Sequence, residues 1–124
     1  MIAGIGVDIV QVRRMRRWRG QPGLLERYFH PDELAAALSR GDGADHSLAG
    51  RFAAKEAFGK ALGMGLEGMV LKDIMVINRR NGRPELQLFG TAREALNKNG
   101  ANCVHLSLTH DQDNAVAVVV LEVL

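Results

Sequence analysis

Leu48–Leu62, LAGRFAAKEAFGKAL, followed at once by Gly63, Gly65 and Gly68, is the stretch that decides the fold. At about 100° per residue it reads as one long helix, ended by the glycine cluster. Phe52, Glu56 and Lys60 fall along one edge, with Ala49 and Ala53 beside them. Ala54, Phe58, Ala61 and Leu62 take the opposite side. A helix that is apolar nearly all round is normally buried. A carboxylate on such a helix must be paired or must hold a cation, because a bare buried charge is expensive. Glu56 therefore has two readings. One is an i,i+4 ion pair with Lys60, worth roughly 0.2–0.5 kcal/mol when exposed. The other is a ligand to Mg²⁺, which takes one or two carboxylates together with phosphate oxygens and water.

Working outward, Met1–Asp8 reads as a strand and Val10–Arg19 as a helix stopped by Gly20, Pro22 and Gly23. Leu24–Phe29 is a further helical turn, and Pro31 opens a helix reaching about Ser39. GDGADHS, Gly41–Ser47, is a loop by composition. Ile74–Asn78 and Glu85–Phe89 flank RRNGRP, whose Asn81-Gly82 is a hairpin signal. Thr91–Lys98 is a helix with a capping box between Thr91 and Glu94, stopped by Gly100. Val104–Leu108 and Ala115–Val123 are strands joined across His110–Asn114. No repeat or linker divides the chain, so residues 1–124 are expected to form one α+β domain, a long buried helix against an antiparallel sheet.

Composition narrows the classes. With 47% hydrophobic residues the chain can build a core without disulfides or a structural metal. Cys103 is the only cysteine, so no intrachain disulfide can form; it is expected to be a small buried hydrophobe in a reducing compartment, outside any zinc-type cluster. No run approaches ~18 apolar residues and the N-terminus lacks a signal pattern, which predicts a soluble, cytoplasmic protein with no membrane role. A net charge of +2 is too small to imply nucleic acid. Arg13, Arg14, Arg16, Arg17 and Arg19 are nonetheless crowded together, which suggests an acidic partner docking at one spot.

Three segments carry chemistry. In the first strand Gly4, Gly6 and Asp8 share a face. Glycines inside a strand mark close approach of a ligand or another backbone, so Asp8 either lines a site or caps the following helix. GMGLEG, Gly63–Gly68, is either a helix stop or a backbone whose N–H groups approach phosphates; its glycines follow the lysine, so it is not a P-loop. In HLSLTHD, His105, Ser107 and Thr109 alternate onto one face, with His110 and Asp111 at the turn. A Ser-His-Asp triad is disfavoured, because such triads rarely lie within a few consecutive residues. Phosphate binding or a solvated strand face remain. The same Asp8/Glu56 pair would also serve a phosphohydrolase, and the arginine helix a non-catalytic binding module.

GIGVDIV (Gly4–Val10), GRFAAKEAFGKALG (Gly50–Gly63) and HLSLTHD (His105–Asp111), in that order and spacing, with the GRP hairpin at Gly82–Pro84 and the terminal AVAVVVLEVL, resemble the small bacterial phosphopantetheinyl transferases of the holo-acyl-carrier-protein synthase type. The resemblance covers essentially the whole chain. It implies the 4'-phosphopantetheinyl transferase fold, a homotrimer with sites shared between neighbours, and transfer of 4'-phosphopantetheine from coenzyme A to a serine of apo acyl carrier protein. That reaction would release 3',5'-ADP and give holo carrier protein for fatty acid biosynthesis. Asp8 and Glu56 would hold Mg²⁺, and Lys60 would contact the pyrophosphate. Arg51, the Gly63–Gly65 turn, Thr109 and His110 would bind the nucleotide. Arg14, Met15 and Trp18, with Gln11 on the same helical face, would dock the carrier protein. Asp8 and Glu56 need not meet Lys60 and His110 within one subunit. The Gly41–Ser47 loop departs from relatives rich in lysine and arginine there: only Arg40 lies beside it, which weakens the case for a nucleotide contact from that loop.

Overall fold

The structure, a computed structural model, describes residues 1–124. Strand β1 spans Ile2–Gln11 and helix α1 Val12–Arg19. The strand runs three residues further than Asp8, where Val10–Arg19 was expected to be helical. Ile9 and Val10 pair with Val116 and Ala115 of a later strand, and those partners decide between strand and helix. The three-stranded antiparallel sheet has the order β1-β5-β4, with β4 at Cys103–His110 and β5 at Asn114–Glu122. Between α1 and β4 run α2 (Leu24–Tyr28), α3 (Pro31–Leu38), α4 (Ala44–Ala61), the hairpin β2–β3 (Ile74–Asn78, Pro84–Leu88) and α5 (Gly90–Asn99).

Helix α4 begins a full turn before the expected Leu48. Gly41–Gly43 forms a 3₁₀ turn, and Ala44–Ser47 are helical rather than loop. Asp45 sits in the first turn, where the helix dipole favours a carboxylate, and receives a hydrogen bond of 2.7 Å from Arg19. Thirteen of the 18 residues of α4 are buried.

Its contact with β1 is made backbone to backbone. A Cβ on Gly4 would stand 2.0 Å from the Ala61 carbonyl oxygen, and one on Gly6 would stand 1.9 Å from that of Ala57. The two strand glycines thus receive another backbone, with the alanine side of α4 pressed onto them.

Three charges lie inside. Glu33 of α3 accepts from Lys55 Nζ at 2.7 Å and from the Val76 N–H at 2.8 Å. Lys55 also donates to the carbonyls of Leu71 and Ile74. Arg51 donates to the Val76 carbonyl at 2.7 Å and to Ser47 Oγ at 3.1 Å. Burial pushes the Lys55 ammonium down from its ordinary value, and Glu33 opposes that shift. Every buried side-chain polar atom has a partner, so this network ties α3 and β2 to α4.

The helix start at α5 differs from the expected capping box. The Thr91 hydroxyl and N–H both donate to Asp73 Oδ2, at 2.6 and 2.9 Å, and Thr91 Oγ1 accepts from the Val70 N–H. An aspartate 18 residues upstream supplies the acceptor that the sequence pattern assigned to the local pair. Gly100 ends the helix at φ +88, as the stop signal indicated.

Gly6→Ala should lower stability by roughly 3 kcal/mol or more, since the obstructing atoms are backbone and overpacking alone costs 1–3 kcal/mol. Lys55→Ala, which strands the Glu33 carboxylate, should lose about 3–5 kcal/mol. Urea unfolding followed by circular dichroism checks both.

Candidate active site

Asp8 lies two residues beyond Gly6 on the face of β1 turned toward α4. It does not cap α1, whose first flanking position is Gln11. Lys60 Nζ donates to Asp8 Oδ1 at 3.0 Å and to the Val7 carbonyl at 3.2 Å. The i,i+4 ion pair between Glu56 and Lys60 is therefore not the one formed: the Lys60 ammonium is taken up by Asp8 and the Val7 carbonyl across the strand contact. Asp8 and Lys60 do meet within one chain.

Glu56 is left beside them without a hydrogen bond or ion pair. Burial pushes its carboxyl above the ordinary value, and the charge of Asp8 adds to the shift; Lys60 and Arg14 pull it back. Two oxygen donors that repel one another, one of them lacking a counter-charge, suit a small hard cation. The residues present fit Mg²⁺.

The glycine turn after α4 has another use than phosphate binding. The Gly63 N–H donates to the Lys60 carbonyl at 2.9 Å, and the N–H groups of Met64 and Gly65 donate to Gly59 at 3.3 and 3.1 Å. These amides close the end of α4. Gly59 itself admits the returning chain, since a Cβ there would stand 2.3 Å from the Gly65 carbonyl oxygen.

The other expected ligand residues gather elsewhere. Arg51, Thr109 and His110 line a cleft of about 560 Å³ together with Arg40, His46 and Ser47. The His46 and His110 rings lie 5.1 Å apart. None of Asp8, Glu56 and Lys60 lines this cleft. The separation follows from topology: Asp8 and Leu108 face Ala117 from opposite sides of β5, about two strand spacings or 9–10 Å apart. Asp111 is a turn residue, accepting from the N–H groups of Asp113 and Asn114 at 2.8 and 2.7 Å. Those backbone hydrogen bonds hold its carboxyl below the usual range.

Residues 4–119 match the 4'-phosphopantetheinyl transferase superfamily. The chain belongs to this superfamily. A holo-[acyl-carrier-protein] synthase of Treponema denticola is 57% identical over 122 residues, 98% of this chain and 99% of that relative. Among solved structures, the holo-[acyl-carrier-protein] synthase of Neisseria meningitidis superposes with a TM-score of 0.89 at 36% identity, covering 98% of this chain and 99% of that one. The holo-(acyl-carrier-protein) synthase of Bacillus anthracis in complex with CoA (3',5'-ADP) gives 0.84 at 36% identity, over 100% and 99%. The chain is thus an enzyme, a phosphopantetheinyl transferase. No helix in it is long and apolar enough to cross a membrane.

The expected docking face of this transferase is partly turned inward. Met15 is 0% exposed and belongs to the core. Trp18 packs against Phe52 and Tyr28, with ring centroids 4.9 and 5.2 Å away. The Gln11, Arg14, Met15, Trp18 stripe is thus divided: Met15 is buried and is no surface anchor, while Arg14 and Trp18 are half-buried and Gln11 is exposed. The Arg14 guanidinium lies 4.7 Å above the Trp18 ring. Arg16 and Arg19 pair with Asp45. Cleft residues His46 and Ser47 escaped the sequence reading, and Arg40 figures there only as the one basic neighbour of a loop with a weakened case for a nucleotide contact. Extending α4 by one turn would have aligned His46, Ser47, Gly50 and Arg51 at helical spacing; the glycines and aspartates of GDGADHS hid that turn.

A carboxyl whose folded value lies above its unfolded one stabilises the fold only below the unfolded value, and that contribution is lost as the pH rises through the raised one. In chelator at neutral pH, Glu56→Gln should therefore be as stable as the parent or more so. Added Mg²⁺ should raise the parent's Tm and leave the variant's unchanged; a thermal scan across pH reads both.

Proposed function

We propose that this chain, acting as one domain, transfers 4'-phosphopantetheine from coenzyme A to a serine of apo acyl carrier protein and releases 3',5'-ADP. The observation that carries this reading is the unpaired Glu56 carboxylate beside the Asp8–Lys60 pair. The relatives' names and the coenzyme A complex of the Bacillus anthracis protein support the substrates.

Asp8 and Glu56 would hold Mg²⁺, and when bound the ion supplies positive charge to phosphate oxygens. Lys60, already poised at the carboxylates, would turn its ammonium to the pyrophosphate and offset charge on the leaving nucleotide. The cleft of Arg51, Thr109 and His110, with Arg40, His46 and Ser47, would take the nucleotide's phosphates. Gly63 and Gly65 would shape the backbone beside Lys60 and not donate to phosphate, since their amides close the helix end. The attacking hydroxyl would belong to the carrier protein, consistent with a chain in which neither the Ser107 nor the Thr109 hydroxyl is hydrogen-bonded to a histidine: the His105 ring is engaged by Glu122 and Cys103.

The bare apolar face of β1 supports a homotrimer, in which sites would be shared between copies. Ile5, Val7 and Ile9 form an apolar row on the outer face of β1, 61, 55 and 62% exposed; neighbouring copies would cover it. Arg14, held over Trp18, would meet the acidic carrier protein. The proposed setting is the cytoplasm.

Incubation with apo acyl carrier protein, coenzyme A and Mg²⁺ should add one phosphopantetheine to the carrier, read by intact mass; an unmodified carrier would sink the proposal. Glu56→Gln should lower kcat/KM by at least about 100-fold. Arg14→Glu should raise the KM for carrier protein about tenfold and that for coenzyme A much less. Assemblies mixed from Glu56→Gln and His110→Ala chains should recover part of the activity that neither variant has alone. No recovery would place the whole site in one chain.

A further inference from the structure

One corner of the outer sheet face carries a second set of metal-type ligands. Cys103 and His105 lie two apart on β4 and so project from the same face. Glu122 of β5 stands directly opposite Cys103 in the strand register. His105 Nε2 is 2.8 Å from Glu122 Oε1 and 3.5 Å from Cys103 Sγ. All the donor atoms lie within 4.8 Å of one another. This is a correction to the expectation that Cys103 is a buried hydrophobe outside any cluster: it is partly exposed, and strand pairing brings Glu122, 19 positions away, to it.

Both contacts fall on one imidazole nitrogen. A thiol–imidazole–acid relay needs the thiol on one ring nitrogen and the acid on the other, so the arrangement is unsuited to activating Cys103 as a nucleophile. Donors converging on one point instead suit a cation. Bonds of 2.3 Å to sulfur and 2.0–2.2 Å to nitrogen and oxygen place tetrahedral ligands about 3.3–3.7 Å apart. The Sγ···Nε2 distance already matches that spacing, and the Nε2···Oε1 hydrogen bond must open by only about half an ångström. In the single chain the side chains of His105 and Glu122 are 45% and 30% exposed, which leaves room for that movement. The cluster shares the outer face of Ile5, Val7 and Ile9 but sits at its far end, where Glu122 pairs with Ile2.

We propose that Cys103, His105 and Glu122 bind a Zn²⁺ ion, with water in the fourth position. The thiolate and imidazole select a borderline-soft metal, whereas the oxygens of Asp8 and Glu56 suit Mg²⁺, so the two sites sort different ions. The zinc site lies at the β4 edge of the sheet, and Glu122 pairs with Ile2, six residues along β1 from Asp8. Binding displaces the thiol proton and the proton shared between Nε2 and Oε1, so affinity falls as the pH is lowered. Bound zinc also clamps β4 to β5.

Metal-free full-length protein titrated with Co²⁺ should develop sulfur-to-cobalt charge-transfer absorption, and Zn²⁺ should abolish it while excess Mg²⁺ does not. Cys103→Ser should lose the band; it and His105→Gln should each weaken Zn²⁺ binding by at least about tenfold. Glu56→Gln should keep the band, and Cys103→Ser should keep the parent's metal-free Tm and its Mg²⁺-supported transfer. A parent protein that shows no charge-transfer band, or a Cys103→Ser variant that binds Zn²⁺ as tightly as the parent, would overturn the proposal and leave the transfer reaction untouched.

Discussion

Everything else in this molecule hangs on a backbone-to-backbone contact. Gly4 and Gly6 of β1 lie against the carbonyls of Ala61 and Ala57 with no room for a single methyl group. Ala57 and Ala61 are one helical turn apart, and so are Glu56 and Lys60, each one residue earlier. The pair of alanines that touches the strand thus fixes the pair of charges along the adjacent edge. Asp8 is placed by the same contact from the strand side, two residues past Gly6. The three charged groups come to one spot because two polymers of small residues meet without side chains between them.

The charges on α4 divide by their surroundings. Lys55 lies fully inside, and its ammonium donates to one carboxylate and two carbonyls. Such a group is expensive to leave alone and nearly neutral once satisfied, which is the profile of a structural tie. Glu56, one residue later, is half-buried and has no partner, so burial and Asp8 act on it unopposed except by Lys60 and Arg14. Adjacent residues on one helix have opposite characters because one faces α3 and β2 and the other faces the β1 edge.

Much of this was legible in the residues. The period of LAGRFAAKEAFGKAL located the central helix and its charged edge, and the paired glycines of β1 marked a close approach without saying to what. The hairpin around Asn81-Gly82 and the stop at Gly100 were readable because glycine there adopts positive φ, a local property. What escaped depended on distant partners. Glu33 and Lys55 meet across 22 residues, Thr91 is capped by Asp73, and Cys103 meets Glu122 only through strand register. Met15 was misplaced for a related reason: helical spacing groups residues on a face, but packing decides whether that face looks in or out.

The glycine–alanine contact also sets what can be borrowed from this fold. Grafting the site onto a foreign scaffold would need more than copying two carboxylates and a lysine. It would need a strand and a helix brought so close that two strand positions have no space for a side chain at all. The transplantable unit is thus a spacing between two main chains, and the acidic and basic groups are its passengers.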